Sequence, residues 1–165
     1  MSITKYTLLL LVSLFSVSPF LTGNKKPNIV VFISDDLGRW DTSIHGSKDA
    51  RTPTMERLAA EGMTFDDAYV TSPSCCPSRF SLLTGLMPAR HGAHPNHSKV
   101  KTGTKFLPPI LKKMGYHIAS FGKIAHGNKK FEGLDFNEPK RTDMCVEVEK
   151  YFKNNKIEGP ICLLV

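Results

Sequence analysis

The sequence has few cysteines and none in a metal-binding arrangement. Cys75, Cys76, Cys145 and Cys162 form no Cys-x-x-Cys pair, and their spacing fits no zinc framework. There is no internal repeat and no low-complexity segment, so a solenoid or tandem array is excluded. No nucleic-acid-binding motif is present. The net charge of +7 is scattered over Lys25-Lys26, Lys112-Lys113, Lys129-Lys130 and Lys140-Arg141 rather than gathered in one stripe. Most of it reads as solvated lysine on a surface that favours anionic partners, acidic or sulfated glycans among them, and nucleic acid is not an expected partner. The longest apolar run, Tyr6 to Val17, is nearly unbroken but too short to span a bilayer comfortably.

That run has a use of its own. Lys5 precedes it and Ser18 to Gly23 follows as a cleavage region, the layout of a secretory signal peptide over residues 1–23. Residues 24–165 then form the exported domain, with no stable membrane span after cleavage. Its destination is secreted, periplasmic or lysosomal according to the host. With 41% hydrophobic and 22% charged residues, this part has the balance of a globular domain with a core. Export permits disulfides, yet Cys145 and Cys162 lie in apolar surroundings and read as core residues.

Along the chain the pattern alternates between strand and helix. Asn28 to Ser34, a continuous β-branched run, predicts a strand buried on both faces. Pro53 near its start and Gly62 at its end bound a short helix. Met63 to Val70 predicts a second strand, Ser78 to Leu83 a helix, and Phe106 to Met114 a helix stopped by Gly115. Tyr116 to Phe121 reads as a strand. Thr142 to Asn155 reads as an amphipathic helix with Met144, Val148, Tyr151 and Phe152 on one face. Ile161 to Val165 opens one more strand. This β-α-β-α-β-α-β order predicts an α/β fold, a mostly parallel sheet flanked by helices. A domain rarely ends inside a buried strand, so the chain reads as truncated.

Ligands of such sheets gather beyond the carboxyl ends of the strands. Asp35 and Asp36 stand there. Adjacent carboxylates repel each other unless a cation or donors compensate, and a hard divalent cation with oxygen ligands would do so. Taken alone, the pair also reads as a solvated turn with one Asp capping a helix. The stretch Ser74 to Gly85, SCCPSRFSLLTG, is more pointed. Pro77, at or near the first helical position, starts a helix and places Cys75 at its N-terminus, where the dipole and free N–H groups favour anions. Arg79 follows one turn on and can clamp an oxyanion. The thiol-phosphatase loop is disfavoured, because three residues separate Cys75 from Arg79 where five would be needed.

Cys75-Cys76-Pro77-Ser78-Arg79 with Leu82-Leu83-Thr84-Gly85 resembles the signature of the type I, formylglycine-dependent sulfatases, within the alkaline-phosphatase-like superfamily. Ile29 to Gly38, IVVFISDDLG, resembles that family's first strand and its calcium-binding aspartates. Gly115 to His126, GYHIASFGKIAH, resembles its second signature, in the longer form with two residues between Lys123 and His126. Iduronate-sulfatase-like and heparan-sulfatase-like members share that form. The three blocks stand in the family's order.

The resemblance implies an exported enzyme in which a formylglycine-generating system converts Cys75, reading the motif on the unfolded chain. The aldehyde hydrates, one hydroxyl attacks the sulfur of a sulfate ester, and the other drives release of sulfate. It implies a calcium ion, or magnesium, on Asp35, Asp36 and residue 75. Arg79 and Lys123 would stabilise oxyanions and His126 would orient the diol or leaving oxygen. The family's remaining calcium ligands are implied beyond position 165, so the chain reads as an N-terminal piece with little or no turnover. A sulfated glycan is the expected substrate. The rivals are a phosphonate or phosphate monoester hydrolase of the same superfamily and a non-catalytic, secreted, basic binder of glycans.

Arg90 to His97 carries His91, His94 and His97 at intervals of three, but Gly92 and Pro95 break any helical face. The stretch reads as a pocket-wall loop rather than a zinc site. Asn96-His97-Ser98 is a glycosylation sequon.

Overall fold

The structure is a computed structural model that describes residues 25–125, 132–140 and 143–165. The expected signal peptide lies outside the described residues. Four parallel strands form one sheet: β1 (Ile29–Val31), β2 (His117–Phe121), β3 (Phe136–Glu138) and β4 (Ile161–Leu164), in the spatial order β1-β4-β2-β3. The helices are α1 (Pro53–Glu61), α2 (Cys75–Thr84), α3 (Pro88–His91), α4 (Leu107–Lys113) and α5 (Met144–Asn154), with two 3₁₀ turns over residues 39–45. This is the expected parallel sheet flanked by helices.

Strand alternation sorts the core into two layers. Ile118, Cys162 and Leu164 turn to the face covered by α2 and α4, where Cys76, Phe80, Leu83 and Leu111 meet them. Ala119, Phe121 and Leu163 turn to the other face and pack against Tyr151 of α5. Tyr151 stacks on His117 and meets Phe121 and Phe136 edge-on or tilted. The Asp143 side chain caps α5 by accepting the Val146 N–H at 3.3 Å.

Several expectations are corrected. The first strand is three residues long and, among the described residues, lies at the sheet edge, paired with β4 alone. Ile29 and Val31 pack on the α2 side, whereas Val30 and Phe32 are 65% and 68% exposed, so the strand is buried on one face and not on both. Residues 63–70 form no strand. Met63, Phe65, Tyr69 and Val70 are exposed, and without a neighbouring ladder the β-branched pattern has nothing to pair with. β3 was not expected, since three residues are too few to show a period. Cys145 is exposed, on the outer side of α5, while Cys162 is buried as expected. Among the described residues no helix is long and apolar enough to cross a membrane.

Candidate active site

The site lies beyond the carboxyl ends of β1 and β2, at the start of α2. Successive residues of an extended strand point to opposite faces. After β1 the chain turns at Asp36, whose φ of 57° is in the left-handed region that aspartate tolerates better than most side chains. The turn breaks the alternation, and both carboxylates approach one sulfur. Cys75 Sγ lies 3.8 Å from Oδ1 of Asp35 and 3.8 Å from Oδ1 of Asp36. Among the described residues these three make a group with metal-ligand spacing, their ligand atoms lying within 4.8 Å of one another.

The helix brings two more groups. Ser74 precedes α2 in extended backbone, and Cys75 is the first helical residue, as the sequence predicts. Arg79, four residues on, shares its side of the helix. It is only 5% exposed, and its guanidinium has two partners: Nη2 donates to Asp35 Oδ1 at 3.0 Å and Nη1 donates to the backbone oxygen of Lys123. Lys123 arrives from β2 through Gly122, whose φ of 68° turns the chain back toward the site. A side chain at Gly122 would also meet Met144 Sδ at 2.5 Å. Lys123 Nζ then donates to Asp35 Oδ2 at 2.6 Å. Asp35 therefore receives a cation on each oxygen.

These contacts set the charge states. The Lys123 hydrogen bond holds Asp35 below the ordinary carboxylate range, against the opposing effect of partial burial and with help from Arg79. Lys123 is correspondingly held above the ordinary lysine range, chiefly by Asp35, with Cys75 adding to it and burial opposing. Asp35 is anionic and Lys123 cationic at neutral pH. Asp36 has no ion pair among the described residues. The surrounding cavity of about 350 Å³ is lined by Asp35, Asp36, Ser74, Cys75, Ser78 and Arg79, among others.

Five of the residues singled out in the sequence thus converge: Asp35, Asp36, Cys75, Arg79 and Lys123. His126 lies outside the described residues. The histidine-rich loop does not form a metal site. His91 is fully buried, with Nδ1 accepting the Ala93 N–H at 3.1 Å and Nε2 facing Ser81 Oγ at 3.1 Å, so its two nitrogens are used in packing. His94 and His97 are exposed.

One contributor escaped the sequence reading. Asn96 Oδ1 accepts the Cys76 N–H at 3.2 Å, and the Cys76 thiol reaches the Ser98 carbonyl oxygen at 3.3 Å. A loop 20 residues away in sequence therefore caps the first turn of α2. Asparagine is a capping residue by type, but no local pattern says which helix it serves.

The donor set partly fits a hard divalent cation. Two carboxylates supply oxygens of the right kind, while calcium takes six to eight. A thiol is a poor ligand for such an ion. Sγ of Cys75 marks the place where an oxygen would stand if that residue were converted to an aldehyde hydrate.

Comparison with known proteins gives the same direction throughout. A family model described as Sulfatase matches residues 27–162. The chain is 40% identical over 120 residues to an N-acetylgalactosamine-6-O-sulfatase of Bacteroides thetaiotaomicron, a match covering 70% of this chain and 24% of that protein. It superposes with a TM-score of 0.74 and 26% identity on a protein solved with its substrate D-glucosamine-2-N,6-O-disulfate, covering 85% of this chain and 34% of that one. A phosphonate monoester hydrolase of Agrobacterium radiobacter shares the fold, with a TM-score of 0.62 at 18% identity, covering 79% of this chain and 30% of that one. The chain spans about a quarter of the length of the curated relative and about a third of the solved chains.

Proposed function

Because this chain belongs to the sulfatase family, we propose that it carries the nucleophile-bearing half of the active site of a sulfuric ester hydrolase acting on sulfated glycans. The observation that supports this most is the meeting of Asp35, Arg79 and Lys123 around Cys75 at the start of α2. An ordinary buried cysteine needs no such set of charges around it.

In this reading Cys75 is converted to formylglycine by a dedicated generating system during export, and the hydrated aldehyde supplies the attacking oxygen. Asp35 and Asp36, with residue 75, would hold a calcium or magnesium ion, whose charge would supply polarisation of the sulfate oxygens. The chain's own residues do the rest. The N-terminus of α2 presents its dipole and free N–H groups to the incoming anion. Arg79 is locked by Asp35 and the Lys123 carbonyl, so its guanidinium costs little to order when sulfate arrives. Lys123 can turn from Asp35 to a sulfate oxygen, transferring positive charge to where negative charge develops. Asp36 stays available for the cation. His126 would orient the diol or the leaving oxygen.

The glycan preference draws on the relative and the solved neighbour named above, together with the net charge of +7. The phosphonate hydrolase resembles this chain in fold alone and does not argue for that leaving group.

The test is the mass of the tryptic peptide Leu58–Arg79 from chain exported by its own host. Replacement of the Cys75 thiol by an aldehyde is the expected result. An intact thiol or a disulfide at Cys75 would remove the catalytic reading and leave a non-catalytic glycan binder. Recovery of the chain from the exported fraction, cut after Gly23, tests the signal peptide in the same sample.

A further inference from the structure

A second cavity is larger than the one at Cys75. It has a volume of about 700 Å³, within the usual range for small-ligand sites, and it lies beside the second turn of α2. Its floor is apolar: Phe80, Val100, Phe106 and Pro109. Its rim carries Lys99, Lys105 and Lys113 against a single acid, Glu132.

Three features separate this cavity from a chance hollow. The first is unspent charge. Nearby lysines are committed, Lys112 to Asp135 and Lys101 to the Ala89 carbonyl oxygen, whereas Lys99, Lys105 and Lys113 enter no ion pair among the described residues. All three are exposed. The second is a fixed wall. The loop returns to α3 through the Lys101 N–H bond to the His91 oxygen at 2.8 Å, and Thr104 closes on the Lys101 oxygen through its hydroxyl at 2.7 Å. Phe106 meets Phe80 edge-on, with ring centroids 6.2 Å apart. The third is continuity with the site. Asn96 and Ser98 hold Cys76 at the start of α2, and the next residues, Lys99 and Val100, form the cavity wall. Cys76 and Phe80 stand one turn apart on one helix side, about 6 Å along the axis, next to the side bearing Cys75 and Arg79.

We infer that this cavity is a second binding site, separate from the one at Cys75, for a sulfated oligosaccharide. Sulfates pair with Lys99, Lys105 and Lys113, and the apolar faces of pyranose rings lie over Val100, Phe106 and Pro109. The inference rests on the proposed function for its choice of ligand, but its test does not depend on catalysis.

The probe is a fluorescently labelled heparin-derived octasaccharide, titrated against the full chain at physiological salt. Three chains are compared: the unaltered one, K99A/K105A/K113A, and a control of equal charge loss, K48A/K140A/K150A, whose lysines are exposed elsewhere. The cavity variant is expected to bind about tenfold more weakly and the control within about twofold of the unaltered chain. Single-stranded DNA of matched charge is expected to bind more weakly and to lose little in the cavity variant. Equal losses in both variants, or no loss in the cavity variant, would show that only general attraction to a basic surface operates and overturn the site. DNA bound as tightly, and lost in parallel, would overturn the sugar assignment. Failure of any of these leaves the formylglycine result at Cys75 untouched, and an unmodified Cys75 leaves the binding result untouched.

Discussion

Arg79 and Asp35, separated by 44 residues of sequence, meet at 3.0 Å, and the same guanidinium donates to the backbone of Lys123. One buried side chain thus ties the first turn of α2 to the ends of two strands. Only the fork of an arginine serves both acceptors at once. Arg79→Lys is expected to retain the charge, lose one of the two bonds and destabilise the chain by about 1–2 kcal/mol, the lower part of the range for charged hydrogen bonds because Asp35 is a third exposed. Urea unfolding checks this. A midpoint unchanged from the parent would mean that the clamp contributes nothing to the fold.

Calcium binding should depend more on Asp36 than on Asp35. Both oxygens of Asp35 are already held by Arg79 and Lys123, so a cation must compete for them. Asp36 has no such rival. With two carboxylates in place the affinity is expected to be weak, about millimolar. Asp36→Asn keeps a residue that tolerates the left-handed backbone but removes the charge. Calorimetric titration should show calcium binding to the parent and little or none to the variant, at similar thermal stability. Equal calcium affinity in the two chains would place the ion elsewhere.

Asp135 offers a pH test far from the reacting centre. It receives the Lys112 ammonium and the Ile118 N–H, the latter at 2.9 Å, and His117 Nδ1 lies 3.7 Å away. Burial raises its pKa, but these partners outweigh burial and hold it below the ordinary value of 3.8. A depressed carboxylate contributes stability that is present above its unfolded pKa and lost as pH falls through its folded pKa. Asp135→Asn should therefore be less stable than the parent near pH 7, with the gap closing as pH falls below about 4. Urea midpoints taken across that interval decide the matter; a gap that does not change with pH would show that packing, not charge, is what the substitution removes.

Much of this arrangement was legible in the residues themselves. Pro53 and Gly62 bound α1 where they should, and the Tyr116 to Phe121 and Ile161 to Val165 runs become β2 and β4 within a residue or so; in β4, burial on both faces leaves a continuous apolar string. The charged motifs told which residues would gather, and five of them do. Pairing geometry was not legible. Nothing local reveals that Asp35 accepts both cations, or that Asn96 caps a helix it does not adjoin, since hydrogen bonds between distant segments leave no period in the sequence. The segment 63–70 misled for the same reason. Strand propensity describes a residue's fit to a pleated surface, and the surface itself is supplied by neighbours.

β1 pairs with β4, matching Ile29 to Cys162 and Val31 to Leu164. The strand that delivers Asp35 and Asp36 is made well over a hundred residues before β4, its sheet neighbour among the described residues. Closing so long a loop is slow, and non-local pairing of this kind delays folding. Until residues 161–164 emerge, the aspartates have no sheet to anchor them, and Cys75 has no carboxylates beside it. The order of synthesis thus opens an interval in which residue 75 is reachable by an enzyme that acts on unfolded polypeptide. The same pairing that later assembles the site is the event that ends that interval.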